Sequence, residues 1–571
     1  MEKVELLCPV GSLGMLKAAV SSGADSVYLG MKKFGARDYA TNFNKDYLKE
    51  AVKICKSNKV KIYLTMNTLV KNTEIKEFLQ QLKYAYEYGV DAVIIQDPSF
   101  IRVIKEFFPG LRVHISTQAG VMNSEHAAFF SSAERINLAR ELDKKNIETL
   151  RKKFSKEIEV FIHGALCASV SGSCLFSSLF GGRSGNRGKC AQYCRRRFGG
   201  LYPLSTKELC LIDKLPDLIQ MGVNSLKIEG RMRTPFYTAT TTAVYRRAID
   251  SYYAGKFEVT GEMRAKLKDA FYRGFTEGRF SGQGVFDPRT SSASGTSNIK
   301  EVDYVVKSRS VTLEKRQAQM KELDLGFKPS SGKQLIARVY NRQDAMTASL
   351  YADIIALDLF HENFEDIKRR SKKPVYAVTP RIMMDSDLEV VRNKINSLAP
   401  NGLIAGNLGI LNMGFKLPII LDYNSNCFND LQLKYYQSLG AKPIMSPELS
   451  LAEIEAFKNK DFIVFVHGKL RLMTLAHNLP ETNLRDEREG TFNVRKIYGG
   501  VEVLNEKEMG LLNKIKGLVA SGINQIYVDS SSVKNFEAII RAYRGILDGK
   551  NMDVTDLQSG HIPGWSGHGV M

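Results

Sequence analysis

Short apolar runs recur along the first 250 residues: VELLCPV, DSVYLG, KIYLTMN, DAVIIQD, RVHISTQ, RINLAREL, VFIHGAL and SLKIEGR. Each is rich in Val, Ile, Leu and Tyr and apolar on both faces, the pattern of parallel strands covered on either side. Segments between them, such as LGMLKAAVSSG, YLKEAVKICKSN and KEFLQQLKYAYEYG, carry apolar residues at steps of three and four and often stop at Gly. Those are helical signals with a glycine C-terminal stop. Eight strand-helix alternations predict an α/β fold, a TIM-type (β/α)8 barrel whose active face lies at the strand C-terminal ends.

Those ends supply Asn67, Gln96 and Asp97, Thr117 and Gln118, Arg140 and Glu141, His163, and Glu229 with Arg231. Polar groups at such positions point into a barrel mouth while their apolar predecessors fill the interior. The plain alternative is that several, Asn67 and Gln118 among them, only cap loops or helices.

The second half echoes the first. DKLPDLIQMGVNSLKIEGR at 213–231 is matched by NKIKGLVASGINQIYVDSS at 513–531, with Gly222 over Gly522 and Asn224 over Asn524. VFIHGALC is matched by VFVHGKLR, placing His163 over His467, and LARELD by MSPELS, placing Glu141 over Glu448. FTEGRFSGQGVF is matched by LQSGHIPGWSGHGV at the C-terminus. Matches kept in order at slowly drifting offsets indicate tandem duplication. The runs LIARVY, DIIALDL, PVYAVTP, GLIAGN, PIILDY, KPIMSP, FIVFVHG and QIYVDS predict a second, degenerate barrel-like repeat. The expected organisation is a catalytic barrel at 1–289, a basic Ser/Lys-rich linker at 290–332 and the degenerate copy at 333–571. The linker reads either as a solvated connector or as a basic arm for a polynucleotide.

Composition adds less. The 571 residues exceed one ordinary core, and 44% apolar with 25% charged residues is ordinary for a globular protein. No run of about 18 apolar residues and no charged-then-apolar leader is present, so a cytoplasmic protein without a membrane partner is expected. The net charge of +20 attracts polyanions.

Candidate chemistry concentrates in HGALCASVSGSCLFSSLFGGRSGNRGKCAQYCRRR, which holds four of the eight cysteines: Cys167, Cys174, Cys190 and Cys194. In a reducing compartment such thiols are poor disulfide candidates. Their 6-15-3 spacing differs from paired C-x2-C zinc knuckles and suits an iron-sulfur cluster, with zinc as the alternative. In the copy, Cys167 becomes Arg471 and the other three have no counterpart. Cys8, Cys55 and Cys427 read as packing residues, and Cys210 as a spare ligand.

VFIHGALC, the C-x6-C pair, GRSGNRGKCAQYCRR and SLKIEGRMR together resemble the signature of the peptidase U32 family, over residues from VELLCPVGS to about 286. The resemblance implies a 4Fe-4S cluster on Cys167, Cys174, Cys190 and Cys194, and an RNA hydroxylase acting at pyrimidine ring carbon 5. GMKKFGARDYATNFNKD, STQAG and LARELDKKNI are most similar to a member that modifies a ribosomal RNA cytidine, with transfer RNA uridine hydroxylases next. It also implies prephenate or a similar small dicarboxylate as co-substrate, for which Arg183, Arg187, Arg140 and Arg231 are guanidiniums of the right type. Arg183 and Arg187 could equally neutralise the cluster. Glu229, Glu141 and His163 are candidates for proton transfer or for gripping the base, Arg231 joins them in the catalytic group, and Asn67 and Gln118 are candidate substrate contacts. No sequence feature specifies an electron donor.

Two other classes compete. The family title suggests a peptidase, with Cys167 or Cys174 paired to His163, but neither H-E-x-x-H nor G-x-S-x-G occurs. A non-catalytic RNA-binding assembly protein would need only the basic charge and the repeat.

Overall fold

The computed structural model describes residues 3–289, 304–306, 312–313, 316–323, 325, 328–480, 482–487, 490–531, 533–558, 561–564, 567 and 569–571. Two compact units result: residues 1–172 with 185–322, and residues 173–184 with 323–571.

In the first unit the apolar runs become β1 (Glu5–Pro9), β2 (Ser26–Gly30), β3 (Lys61–Thr65), β4 (Ala92–Ile95), β5 (Arg112–Ile115), β6 (Arg135–Asn137) and β7 (Glu157–Ala165). They are followed by β8 (Glu208–Cys210) and β9 (Ser225–Ile228). β1 to β7 pair in chain order, and β9 lies parallel between β7 and β1, closing a ring of eight. β8 is an addition, antiparallel on β7 with His163 opposite Cys210. Helices start where the sequence supplies acceptors: Ser12, Asn44 and Asp143 take the amides of Met15, Tyr47 and Asn146 at 3.3, 2.8 and 2.8 Å, each worth about 1 kcal/mol.

The ring is filled by Leu7, Tyr28, Tyr63, Ala92 and Ile94. At the strand starts lies a charged layer that the apolar runs conceal. Arg135 reaches Glu5 at 2.5 Å and Glu159 at 3.3 Å, Lys227 reaches Glu159 at 2.8 Å, and Tyr63 donates to Glu5 at 2.7 Å. Two cations balance two anions, the condition for burying charge. Burial alone would raise the Glu5 carboxyl, but Arg135 outweighs it and holds it at about 2.

Residues 316–321 of the expected linker are tied to the first unit: Gln319 N donates to Phe107 O at 2.8 Å and Arg316 to Val90 O at 3.4 Å. Residues 290–303, on which the basic-arm reading rests, lie outside the described residues.

The second unit carries eight parallel strands where its apolar runs fall, Gln334–Arg338, Ile354–Asp358, Val375–Val378, Gly402–Ala405, Ile419–Leu421, Ala441–Pro443, Val464–Gly468 and Gln525–Asp529. Gln525–Asp529 sits between the first and the seventh, as β9 does in the first unit. Ala441–Pro443 reaches the seventh only through one bridge, Ile444 to Ile463, so this sheet is a looser copy. An antiparallel sheet of Arg471–Leu475, Asn483–Arg485, Thr491–Ile497 and Gly500–Leu504 replaces the cysteine loop.

The duplication extends to single atoms. In each unit an imidazole meets a tyrosine hydroxyl, His163 with Tyr245 at 3.2 Å and His467 with Tyr543 at 3.3 Å. Each tyrosine in turn donates to a strand carbonyl, Ile162 O or Val466 O. Gly164 and Gly468 both have positive φ, 100° and 124°, and a Cβ there would lie 2.4 and 2.5 Å from the carbonyls of Glu229 and Asp529. Only glycine permits that approach. Among the described residues no helix is long and apolar enough to cross a membrane.

Candidate active site

At the C-terminal ends of β6, β7 and β9, Glu229 is buried between two guanidiniums. Its Oε1 is 3.4 Å from Arg37 Nη2, and its Oε2 is 3.2 Å from Arg140 Nη2. Burial alone would raise the carboxyl, but Arg37 and Arg140 outweigh it, so Glu229 stays ionised. Arg140 lies over the Phe161 ring at 3.9 Å and donates to Ala165 O at 3.1 Å, which fixes its fork. Arg37, on the loop after β2, is raised first by Glu229, then by Tyr28, and after them by the Cys190 and Cys167 sulfurs.

Arg231 runs beneath this group. It donates to Thr65 Oγ1 at 3.0 Å and to Asn42, and burial lowers it to about 10. Its path exists because residue 30 is glycine: a Cβ there would lie 2.3 Å from Arg231 Nη2.

Three thiols converge on the same region. Burial raises Cys167, with Cys190 the next cause and Arg140 opposing; burial, Cys190 and Cys167 push Cys194 up to about 12. Thiols this close resist becoming thiolates together unless a cation joins them. Gln192, with φ 54°, turns its amide onto Cys190 Sγ at 3.3 Å. Thiols that feel one another's charge, an amide donor to the Cys190 sulfur and arginines near them fit the donor set of an iron-sulfur cluster, which is anionic when thiolate-bound.

Beside them, Glu141 is 5% exposed and its Oε2 makes no hydrogen bond. Burial pushes its carboxyl up to about 7, against the opposing charges of Arg140 and Arg279. A buried acid titrating near neutrality is suited to carry a proton.

Other sequence candidates sit elsewhere. His163 faces the outer helix Pro235–Tyr253, its ring 5.4 Å from Tyr245 and 6.1 Å from Tyr237. Burial lowers it to about 3. The cause is a register shift between Phe161 and His163, which turns the imidazole out of the ring. Held neutral and packed among Tyr245, Tyr237 and Phe275, it is unsuited to serve as a base for Cys167 or Cys174, which speaks against the Cys-His peptidase pairing.

Arg187 spends its fork on Glu74, at 2.8 and 2.6 Å, and donates to Leu69 O at 2.7 Å. It therefore braces a loop instead of presenting a fork to a dicarboxylate. Asn67 links Ala36 N at 3.1 Å to Ser116 Oγ at 2.9 Å, and Gln118 lies in a turn packed on Gly172. Asp97 caps Ser99. Cys174 and Arg183 lie on Ser173–Ser184, which packs into the second unit through Leu175 N to Leu472 O at 2.8 Å and the Phe176 and Phe492 rings at 5.1 Å. The residue that sequence reading missed is Arg37; its signal was only a basic position in the loop after the second strand.

The second unit has its own recess of about 380 Å³ at its strand ends, lined by Arg338, Arg381, Arg471, Arg495, Asp422 and Glu502 among others. Where the first unit has Cys167, Arg471 makes a double contact with Asp422 at 2.5 and 2.6 Å.

Fold and site together define a TIM-type barrel protein with a thiol-bearing mouth built on a buried Arg-Glu-Arg bridge. The chain belongs to peptidase family U32, whose profile matches residues 11–285 and 337–558. It is 38% identical over 300 residues to an uncharacterised protease of Methanocaldococcus jannaschii, covering 49% of this chain and 73% of that one. It is 38% identical over 272 residues to tRNA hydroxylation protein P1 of Bacillus subtilis, covering 44% and 64%. It is 36% identical over 262 residues to the 23S rRNA 5-hydroxycytidine C2501 synthase of Escherichia coli, covering 44% and 40%.

Proposed function

We propose that this chain is an RNA-modifying oxidoreductase that hydroxylates a pyrimidine at ring carbon 5, using a 4Fe-4S cluster and prephenate or a similar dicarboxylate. The observation that carries the reading is the electrostatic coupling of Cys167, Cys190 and Cys194 to one another and to the Arg37–Glu229–Arg140 bridge. The names of relatives that hydroxylate transfer RNA or make 5-hydroxycytidine in ribosomal RNA support it. Cys174 enters the proposed ligand set on the spacing of the motif alone, and a ribosomal RNA cytidine is the preferred target, a transfer RNA uridine the next.

Replacing C5–H by C5–OH with the oxygen drawn from water releases two protons and two electrons, so the reaction also requires an external two-electron acceptor. The cluster, when bound, would supply the one-electron chemistry. The chain's own residues do the rest. The target base must leave its stack to reach a barrel mouth. Glu229, kept anionic between its arginines, offers acceptor oxygens to a base edge. Arg37, a third exposed at its side chain, is the guanidinium best placed to meet a carboxylate of the co-substrate. Glu141 takes up the proton, since its carboxyl is half ionised near pH 7.

Anaerobically purified protein should be coloured, with about four irons per chain. Nucleosides from RNA of a strain lacking the gene should lose one 5-hydroxypyrimidine, from ribosomal or from transfer RNA. A colourless, iron-free preparation together with an unchanged nucleoside profile would refute the reading.

A further inference from the structure

Away from the thiol-bearing mouth, the second unit brings two imidazoles and a carboxylate to one point. His467, Glu508 and His561 each offer a ligand atom, all within 4.8 Å of one another. Glu508 Oε2 is 3.4 Å from His467 Nε2 and 3.2 Å from His561 Nε2. In a tetrahedral zinc site with bonds of about 2.0–2.1 Å, neighbouring ligand atoms stand about 3.3–3.4 Å apart.

Backbone pairing builds this arrangement. His467 ends a barrel strand and pairs with Gly510, and Met509 bridges to Ile562. Ile562 N donates to Glu508 O at 2.9 Å, and Gly510 N donates to Ile562 O at 3.1 Å. The His561 ring lies over Gly510, where a Cβ would come within 2.9 Å of it.

The tautomer of His467 follows from its neighbours. The Tyr543 hydroxyl donates to Val466 O at 2.9 Å, so it accepts from His467 Nδ1 at 3.3 Å. That leaves the Nε2 lone pair facing Glu508, whose carboxylate cannot donate to it. Nε2 is buried without a hydrogen-bond partner, and so is Nδ1 of His561. A neutral imidazole oriented by the Tyr543 hydroxyl, with its bare nitrogen aimed at a carboxylate, is a ligand geometry in want of a cation.

The first unit lacks it. At the offset of 300, Glu508 falls on Glu208, which is paired with Arg273 and, at 3.5 Å, with Arg233. The sequence match puts Arg279 where His561 stands.

We propose that the second unit binds one divalent first-row transition-metal ion, zinc by its ligand set, on His467, Glu508 and His561, stapling the C-terminal segment to the barrel. Nitrogen ligands disfavour calcium and magnesium, which prefer all-oxygen sites. Glu508 and His561 are 13% and 14% exposed at their side chains, leaving a fourth position open to water.

The test uses the full-length protein purified anaerobically, its zinc measured by mass spectrometry and by competition with a chromophoric chelator. Wild type should hold about one zinc more than His561→Ala or Glu508→Gln, with iron unchanged in all three. Taking the difference between proteins cancels any zinc held by the thiols, so the result stands apart from the cluster reading. Cobalt(II) in place of zinc should give visible d–d absorption that both variants lose. His561→Ala removes a side chain from a terminal segment, and its far-ultraviolet circular dichroism should match wild type. Equal zinc in wild type and both variants, or no uptake of zinc or cobalt by wild type, would overturn the proposal.

Discussion

Replacing Glu141 by Gln tests whether a buried acid near the thiols is tuned for proton transfer. Its carboxyl rises from the ordinary 4.5 to about 7 because burial outweighs Arg140 and Arg279, and its Oε2 has no donor. A shift of about 2.5 units corresponds to about 3 kcal/mol at 1.36 kcal/mol per unit. The folded carboxyl holds its proton more tightly than the unfolded one. Its contribution is therefore fully present below about pH 4.5 and is lost as pH rises through 7. Glutamine keeps the neutral shape at every pH. Glu141→Gln should thus lie within about 1 kcal/mol of wild type at pH 5 and exceed it by about 3 kcal/mol at pH 8.5. Denaturant unfolding at both pH values, followed by circular dichroism and by hydrogen exchange in β6 and β7, reads the difference. Turnover should fall at all pH values, and the limb of the rate profile near pH 7 should vanish. A stability difference that does not change between pH 5 and 8.5 would refute the assignment.

Three further outcomes follow from the same geometry. Cys167→Ser should abolish the iron-thiolate colour while circular dichroism stays unchanged, because the barrel core does not include that loop. Gly30→Ala, placing a methyl 2.3 Å from Arg231 Nη2, should keep the colour, cost about 1–3 kcal/mol by overpacking and sharply lower turnover. Glu5, held at about 2 by Arg135, should support stability above pH 4.5 and lose that support as pH falls toward 2. Glu5→Gln should flatten that acid limb in a urea series and cost about 3–5 kcal/mol at pH 7, because Arg135 loses its closest partner.

The barrel strands were legible because parallel strands covered on both sides must be continuously apolar, and VYLG, IYLT and AVII could hardly be anything else. The cysteine spacing is likewise a local pattern with few chemical uses, and it is the sequence alone that offers these thiols as ligands. Contacts across loops were hidden. Nothing near Arg187 announces Glu74, and nothing near Arg37 announces Glu229. His163 misled because a single register shift in β7 reverses its side, and periodicity carries no sign of such a shift. Glu5 and Lys227 sit inside apolar runs and Glu159 just before one, so their charge is masked although they form the charged floor of the barrel. In the second unit the antiparallel sheet from Arg471 to Leu504 has no matching segment in the first half, so the duplicated pattern carries no sign of it.

The central claim, that this mouth oxidises an RNA pyrimidine, meets its most direct test in nucleoside mass spectrometry of separated ribosomal and transfer RNA. A strain lacking the gene should be complemented with wild type and with Cys167→Ser. The account predicts one 5-hydroxypyrimidine, most of all 5-hydroxycytidine in ribosomal RNA, restored by wild type and absent with the variant. Identical hydroxylated nucleosides in all strains would contradict it.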